Sequence, residues 1–292
     1  MLPNTSLSKS VLWACLGSGL IGSSAIFVRL SDLGPITTGF YRMLFALPLL
    51  ALWMGKEKKE GILQNLFPIK GFWLFISAGA FFAFDLALWN WSIDHTTIVN
   101  STLFNNTAAF FVPLLMWIGF REKPPLRFMM ATCAGFVGCA FLVGEGISFS
   151  LTNLLGDIVA LLSGVMVALY LISLKWIREE ISTGLLMFWT GAFCMLFLAG
   201  LAYLFGESFW PLTFIDFISV ISQAVLVHVV GQGLLAYSLG KIPAAYVALI
   251  LFLAPVTGAI LGWIFYAEAL NFTKAFGMML IMVSIMAVQK RG

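Results

Sequence analysis

The stretch LLGDIVALLSGVMVALYLISLKWIR, residues 154–178, decides the fold. It carries one acid near its start, Asp157, then a charge-free apolar run, then two bases, Lys175 and Arg178. About twenty apolar residues in an α-helix cross the hydrocarbon core of a bilayer. Lys and Arg collect on the cytoplasmic side of such helices. The stretch therefore reads as a transmembrane helix that ends in the cytoplasm.

The same reading extends in both directions and gives ten spans: 10–29, 35–54, 70–91, 97–119, 126–143, 153–175, 183–204, 216–239, 244–266 and 273–288. With the N-terminus inside, the inner segments hold Lys9; Lys56, Lys58, Lys59 and Lys70; Arg121, Lys123 and Arg127; Lys175 and Arg178; Lys241; and Lys290 with Arg291. The outer gaps hold only Arg29 and Lys274, and Arg42 falls inside a span. Acids lean outward: Asp32, Asp94, Glu145, Asp157, Glu207, Asp216 and Glu268. An even number of crossings with both termini cytoplasmic satisfies every gap, and a bacterial inner membrane is the expected location.

The chain is 61% hydrophobic and 10% charged, where soluble domains are about 25% charged. No gap is long enough for a soluble domain. The net charge of +3 follows from topology, so it gives no argument for a nucleic-acid partner. The first span is too long for a signal peptide and lacks a small-residue cleavage site. Cys15, Cys133, Cys139 and Cys194 all fall within spans without metal-ligand spacing and read as small packing residues. The sequence contains no H-E-x-x-H, no G-x-S-x-G and no P-loop. An intramembrane enzyme, a metal site, a bound cofactor and ATP drive are therefore not expected.

The chain also looks doubled, at an offset of about 146–148 residues. Glu122, which follows Gly119-Phe120-Arg121, matches Glu268, which follows Phe265-Tyr266-Ala267. Gly34-Pro35 before the second span matches Ser182-Thr183 before the seventh. Two copies of five spans, 10–143 and 153–288, must sit upside down relative to each other because five is odd. The expected fold is thus an all-α integral membrane protein of ten transmembrane helices in two inverted five-helix repeats. Inverted repeats of this kind are typical of secondary transporters, which hold substrate near the midplane between the halves.

Several residues carry a family likeness. Phe40-Tyr41-Arg42-Met43 in the second span, Ala254-Pro255 ahead of Glu268, and Asp85-Leu86-Ala87-Leu88-Trp89-Asn90-Trp91-Ser92-Ile93 with Asn100-Ser101-Thr102-Leu103 are the clearest. Together with the doubled topology, they make the chain resemble the drug/metabolite transporter superfamily, and its EamA-type members in particular. It departs from that pattern at Ala109, where a proline matching Pro255 is expected; Pro113 stands one turn later. The resemblance implies a carrier working by alternating access. Its central cavity would be lined by spans one, three, four, six, eight and nine, with five and ten peripheral. It leaves the substrate open among amino acids, other metabolites and toxic compounds.

Charge near the bilayer centre costs several kcal/mol unless paired or hydrated, which directs attention to Arg42, Asp85 and His228. Arg42 and Asp85 lie at equal depth, roughly 10 Å below the outer edge of the hydrocarbon. Asp85 therefore reads either as a counter-ion for Arg42 or as a cavity group for a substrate amine or a proton. Trp89 shares its helix face, as an aromatic contact for a ligand or as an interfacial anchor. His228, with Gln232 one turn further on, reads as a proton-relay residue or as an interhelical hydrogen-bonding group. The fourth span opens with Asn100, Ser101, Thr102, Asn105, Asn106 and Thr107; lipid offers these no partners, so Thr102, Asn105 and Asn106 are expected at the cavity or between helices. A zwitterionic, cationic or neutral aromatic solute suits this set better than a polyanion. Transport is read as proton-coupled through Asp85 or His228, or as uncoupled facilitation.

Overall fold

The computed structural model describes residues 4–62, 71–96, 98–143, 152–210, 212–267 and 269–289. Lys70, Thr97, Glu145, Glu268, Lys290 and Arg291 lie outside the described residues, as do the side chains of Arg29 and Asp94. Among the described residues every regular element is a helix. In chain order these are α1 (Asn4–Gly22), α2 (Ser24–Leu30), α3 (Pro35–Lys59), α4 (Phe72–His95), α5 (Ile98–Asn105), α6 (Ala108–Phe120), α7 (Leu126–Val143), α8 (Leu154–Glu180) and α9 (Thr183–Leu204). Then follow α10 (Phe214–Ser222), a π-helical segment (Gln223–Gln232), α11 (Gly233–Leu239), α12 (Ala244–Ile250), α13 (Leu253–Tyr266) and α14 (Phe272–Gln289).

Eight helical stretches are long and apolar enough to cross a membrane, among them Pro35–Lys59, Leu154–Arg178 and Phe214–Leu239. The expected fifth and tenth crossings are the shorter apolar helices Leu126–Leu142 and Phe272–Val288. At 1.5 Å per residue the 18 residues of α7 reach ~27 Å, slightly less than the ~30 Å of a typical hydrocarbon core. These two helices pack on each other, Gly138 against the Gly277 backbone. The other principal pairings are α3 with α9, α4 with α8, and α1 with the π segment and α11.

Three of the spans are interrupted, each for a local reason. Between α1 and α2, the Ser23 hydroxyl donates to the Leu20 carbonyl at 2.6 Å. Between α12 and α13, Pro255 has no N–H to give to Leu251, and Ala254 N–H takes that carbonyl at 2.9 Å instead. The fourth span breaks at the equivalent place without a proline. There Thr102 O takes Asn106 Nδ2 at 2.8 Å as well as the Asn106 N–H at 3.2 Å, and Phe104 O takes both the hydroxyl and the N–H of Thr107. Pro113 sits inside α6 and does not end it. Both α6 and α13 stop on a non-glycine residue in the left-handed region, Arg121 (φ 58°) and Ala267 (φ 52°).

Polar ties mark two ends of the bundle. At the face holding the start of α1, Ser238 Oγ donates to Ser10 O (2.9 Å), Lys175 Nζ to Leu239 O (3.0 Å) and Arg178 Nε to Ala236 O (3.1 Å). At the opposite face, Asp216 accepts from Ser31 Oγ (2.8 Å) and Asp32 N (2.9 Å), and Asp157 accepts from Thr96 Oγ1 (2.6 Å) and Asn100 Nδ2 (3.0 Å). Lys175 and Arg178 thus serve the N-terminal face, and Asp157 and Asp216 the opposite one.

Candidate functional site

Inside this frame lies a cavity of about 360 Å³. Its lining runs from Leu235 and Ala248 at mid-bundle to Ile26 on α2 and Lys274 in the first turn of α14, so it reaches toward the face of Asp157 and Asp216. Seven of the eight residues singled out from the sequence line it: Arg42, Asp85, Trp89, Thr102, Asn105, Asn106 and Gln232. The eighth, His228, does not.

Asp85 is buried, on the face of α4 that also carries Phe82 and Trp89. Its Oδ1 accepts a hydrogen bond from Asn105 Nδ2 at 2.9 Å. The same nitrogen lies 2.9 Å from Ser163 Oγ on α8, and that hydroxyl donates to Ala160 O at 2.8 Å. The polar start of the fourth span is thereby explained: Asn105 bridges α4 and α8. Asn106 uses its amide to bond its own helix, where the break turns it toward the cavity.

Arg42 is 5% exposed. No ion pair joins it to Asp85 among the described residues; the ion pair seen there is the exposed Lys56–Glu60 at 3.8 Å. The Arg42 guanidinium carbon instead lies 5.8 Å from the centre of the Phe82 ring, within cation–π range. Its Nε has no hydrogen-bond partner among the described residues. Phe82 in turn stacks with Tyr170 of α8 (centroids 4.5 Å, planes 8° apart) and with His228 (5.8 Å, 15°).

His228 and Gln232 both sit in the π segment, about one turn apart. Gln232 meets the cavity, while His228 stacks on Phe82 and its Nε2 would lie 3.5 Å from a Cβ at Gly191 of α9. Both ring nitrogens of His228, Gln232 Oε1, Gln223 Nε2 and Tyr170 Oη are buried without partners among the described residues.

Among the lining residues not singled out from the sequence are Phe82, Tyr170 and Lys274. Phe82 precedes Asp85 by three positions on one helix face, and Tyr170 is a hydroxyl within an otherwise apolar run, so each left a signal. Lys274 reads from sequence as an ordinary outer-gap base.

Comparison with known proteins resolves the class. The model of the EamA-like transporter family matches twice, over residues 8–144 and 154–289. The chain belongs to the EamA-like transporter family. A relative from Archaeoglobus fulgidus described as an uncharacterized transporter is 26% identical over 283 residues, covering 92% of this chain and 93% of that one. A solved crystal structure shares the fold at a TM-score of 0.78, with 96% of each chain covered and 15% identity. This EamA-like protein is accordingly a multi-pass membrane transporter, and the cavity is its candidate substrate site.

Proposed function

We propose that the chain is a secondary transporter that moves a small organic solute, amino acid-like, cationic or aromatic, by alternating access. The observation that carries this reading is a pair of opposite charges, Asp85 and Arg42, both buried and both lining one cavity without pairing with each other. Uncompensated charge in a membrane interior is expensive, and a bound zwitterion offsets both at once. A solute ammonium fits the acceptor Asp85. A solute carboxylate fits Arg42, with Tyr170 and Gln232 as polar neighbours. Trp89 and Phe82 supply an aromatic wall.

The architecture in this reading is two inverted five-helix halves, 10–143 and 153–288, making ten crossings with α7 and α14 as the short ones. The corresponding helix breaks at Asn106–Thr107 and Leu251–Phe252, and the matched left-handed ends at Arg121 and Ala267, support it. The basic N-terminal face is the cytoplasmic one, so both termini are inside and the cavity described here faces outward. Asp85 is the group through which a proton is coupled; uncoupled facilitation is the alternative.

Proteoliposome flux of an amino-acid and amine panel, with and without an imposed pH gradient, tests this on wild type and Asp85→Asn. Gradient-driven flux abolished in Asp85→Asn supports proton-coupled transport. Flux that ignores both the gradient and the mutation makes the protein a facilitator, with Asp85 a structural acceptor for Asn105. No flux of any amine or amino acid removes the proposed substrate class.

A further inference from the structure

Helices α3 and α9 are joined at both faces by the same device used twice. At the face of Asp157 and Asp216, Glu207, just beyond the end of α9, spreads its two oxygens over the start of α3. Ile36 N–H donates to Oε1 at 3.2 Å and Thr37 N–H to Oε2 at 2.7 Å. At the other face Glu57, near the end of α3, does the same to the start of α9. Gly184 N–H donates to Oε1 at 2.9 Å and the Ser182 hydroxyl to Oε2 at 2.6 Å.

Each tie depends on a glycine. A Cβ on Gly34 would stand 2.4 Å from Glu207 Oε2, and a Cβ on Gly184 would stand 2.5 Å from Glu57 Oε2. Along the chain, Glu207 lies as far beyond Glu57 as Gly184 lies beyond Gly34. The two ties are thus of one kind, a carboxylate from one helix over the start of the other, one at each face.

The chemistry suits a lasting contact. The first N–H groups of a helix have no partner within it. At α3 the first residue is Pro35, which has no N–H, and Glu207 takes the next two. Charge-assisted bonds to a carboxylate at this positive end are stronger than neutral ones. Two oxygens used separately fix orientation as well as distance.

The state of the cavity bears on when these ties are made. The cavity reaches toward the face held by Glu207 and not toward the face held by Glu57, yet both ties are intact in the one structure. The tie at that face is intact beside the cavity. If the halves are related by inversion, opening the other face need not break Glu57's.

We propose that Glu57 and Glu207 are paired braces that hold α3 and α9 at one separation at both faces throughout transport. The α3–α9 pair, carrying Arg42, is then the stationary element against which the cavity opens and closes. This rests on the alternating-access reading above. Both glutamates are positioning residues, since neither lines the cavity.

Spin-label distance measurements on the full-length protein in lipid nanodiscs test it. The cysteines are replaced, and labels are placed at exposed Leu44 and Leu204 toward the Glu207 tie, at Leu52 near Glu57 paired with mid-helix Leu196, and at Leu30 and Leu155 across the cavity mouth. Distances are recorded at acidic and neutral pH, with and without a mixture of the proteinogenic amino acids. The expected result is two populations for Leu30–Leu155 and one unchanged population for each α3–α9 pair. Glu207→Ala broadens Leu44–Leu204 alone, and Glu57→Ala broadens Leu52–Leu196 alone. The Gln variants, which keep an acceptor oxygen, broaden less and serve if an Ala variant fails to fold.

An α3–α9 pair that splits in step with the mouth pair would make the ties gates and overturn the proposal. So would narrow distances that survive both removals of the carboxylate. A single mouth population under every condition would count against alternating access itself, while the braces would stand or fall by the glutamate variants.

Discussion

A single amide nitrogen connects the cavity's acid to the neighbouring long helix: Asn105 Nδ2 lies 2.9 Å from Asp85 Oδ1 and 2.9 Å from Ser163 Oγ. The bond gives the Asp85 carboxylate its one protein donor among the described residues. Asn105→Leu removes that donor from a buried carboxylate. The expected loss is about 1–3 kcal/mol, read as a lower melting temperature of the purified protein in detergent. Adding Asp85→Asn replaces the stranded charge with a neutral amide and recovers part of the loss. Two effects that simply add would show that the bond contributes nothing.

Arg42 and Asp85 share the cavity without an ion pair. The two charges still feel each other across the cavity, so Arg42→Gln and Asp85→Asn are expected to couple in stability by less than either single effect, while each alone weakens binding of a zwitterionic solute. A coupling as large as either single effect would mean that the two charges compensate each other, and that Asp85 is a counter-ion rather than a site.

The membrane-spanning class was legible because hydropathy and Lys/Arg placement act over whole helices, and Leu154–Arg178 carries both signals. The cavity residues on α4 and α5 were legible for a second reason: amides such as Asn105 have no place facing lipid. The stacking of His228 on Phe82 was not legible, because it joins residues far apart in the chain, and nothing in QAVLVHVVGQ announces a π-helical pitch. The break at Asn106–Thr107 was hidden because proline was the expected cause, and side-chain bonds to backbone carbonyls stand there instead. Glu207 reads from sequence only as an outer acid and Glu57 was not singled out, because their partners are more than a hundred residues away.

His228 and Gln232 are expected to part company in function. Gln232 lines the cavity and has an unpartnered oxygen there, so Gln232→Leu should raise the half-saturating solute concentration with little change in melting temperature. His228 packs on Phe82 and faces α9, so His228→Phe, which keeps the ring stack and removes two unsatisfied nitrogens, should leave solute affinity near wild type. Concentration-dependent proteoliposome flux separates the two. If His228→Phe instead abolishes the response to a pH gradient while uncoupled flux persists, the histidine belongs to the proton path.

Gly22 sets how closely α1 approaches α13. A Cβ at this position would lie 2.2 Å from the Ala254 carbonyl oxygen and 2.9 Å from Thr257 Cβ. Backbone cannot give way as a flexible side chain does, so Gly22→Ala must push the two helices apart at the wall of the cavity. Overpacking of this kind costs about 1–3 kcal/mol. Gly119→Ala is the control: nothing lies within 4 Å of its Cβ, and in the α6 interior alanine is the better helix former by about 1 kcal/mol. Melting temperature should fall for the first variant and hold or rise for the second. Gly22→Ala should also change flux more than its stability loss explains, because the displaced helix borders the site. Equal melting temperatures for the two variants would mean that α1 and α13 are not in contact at this crossing.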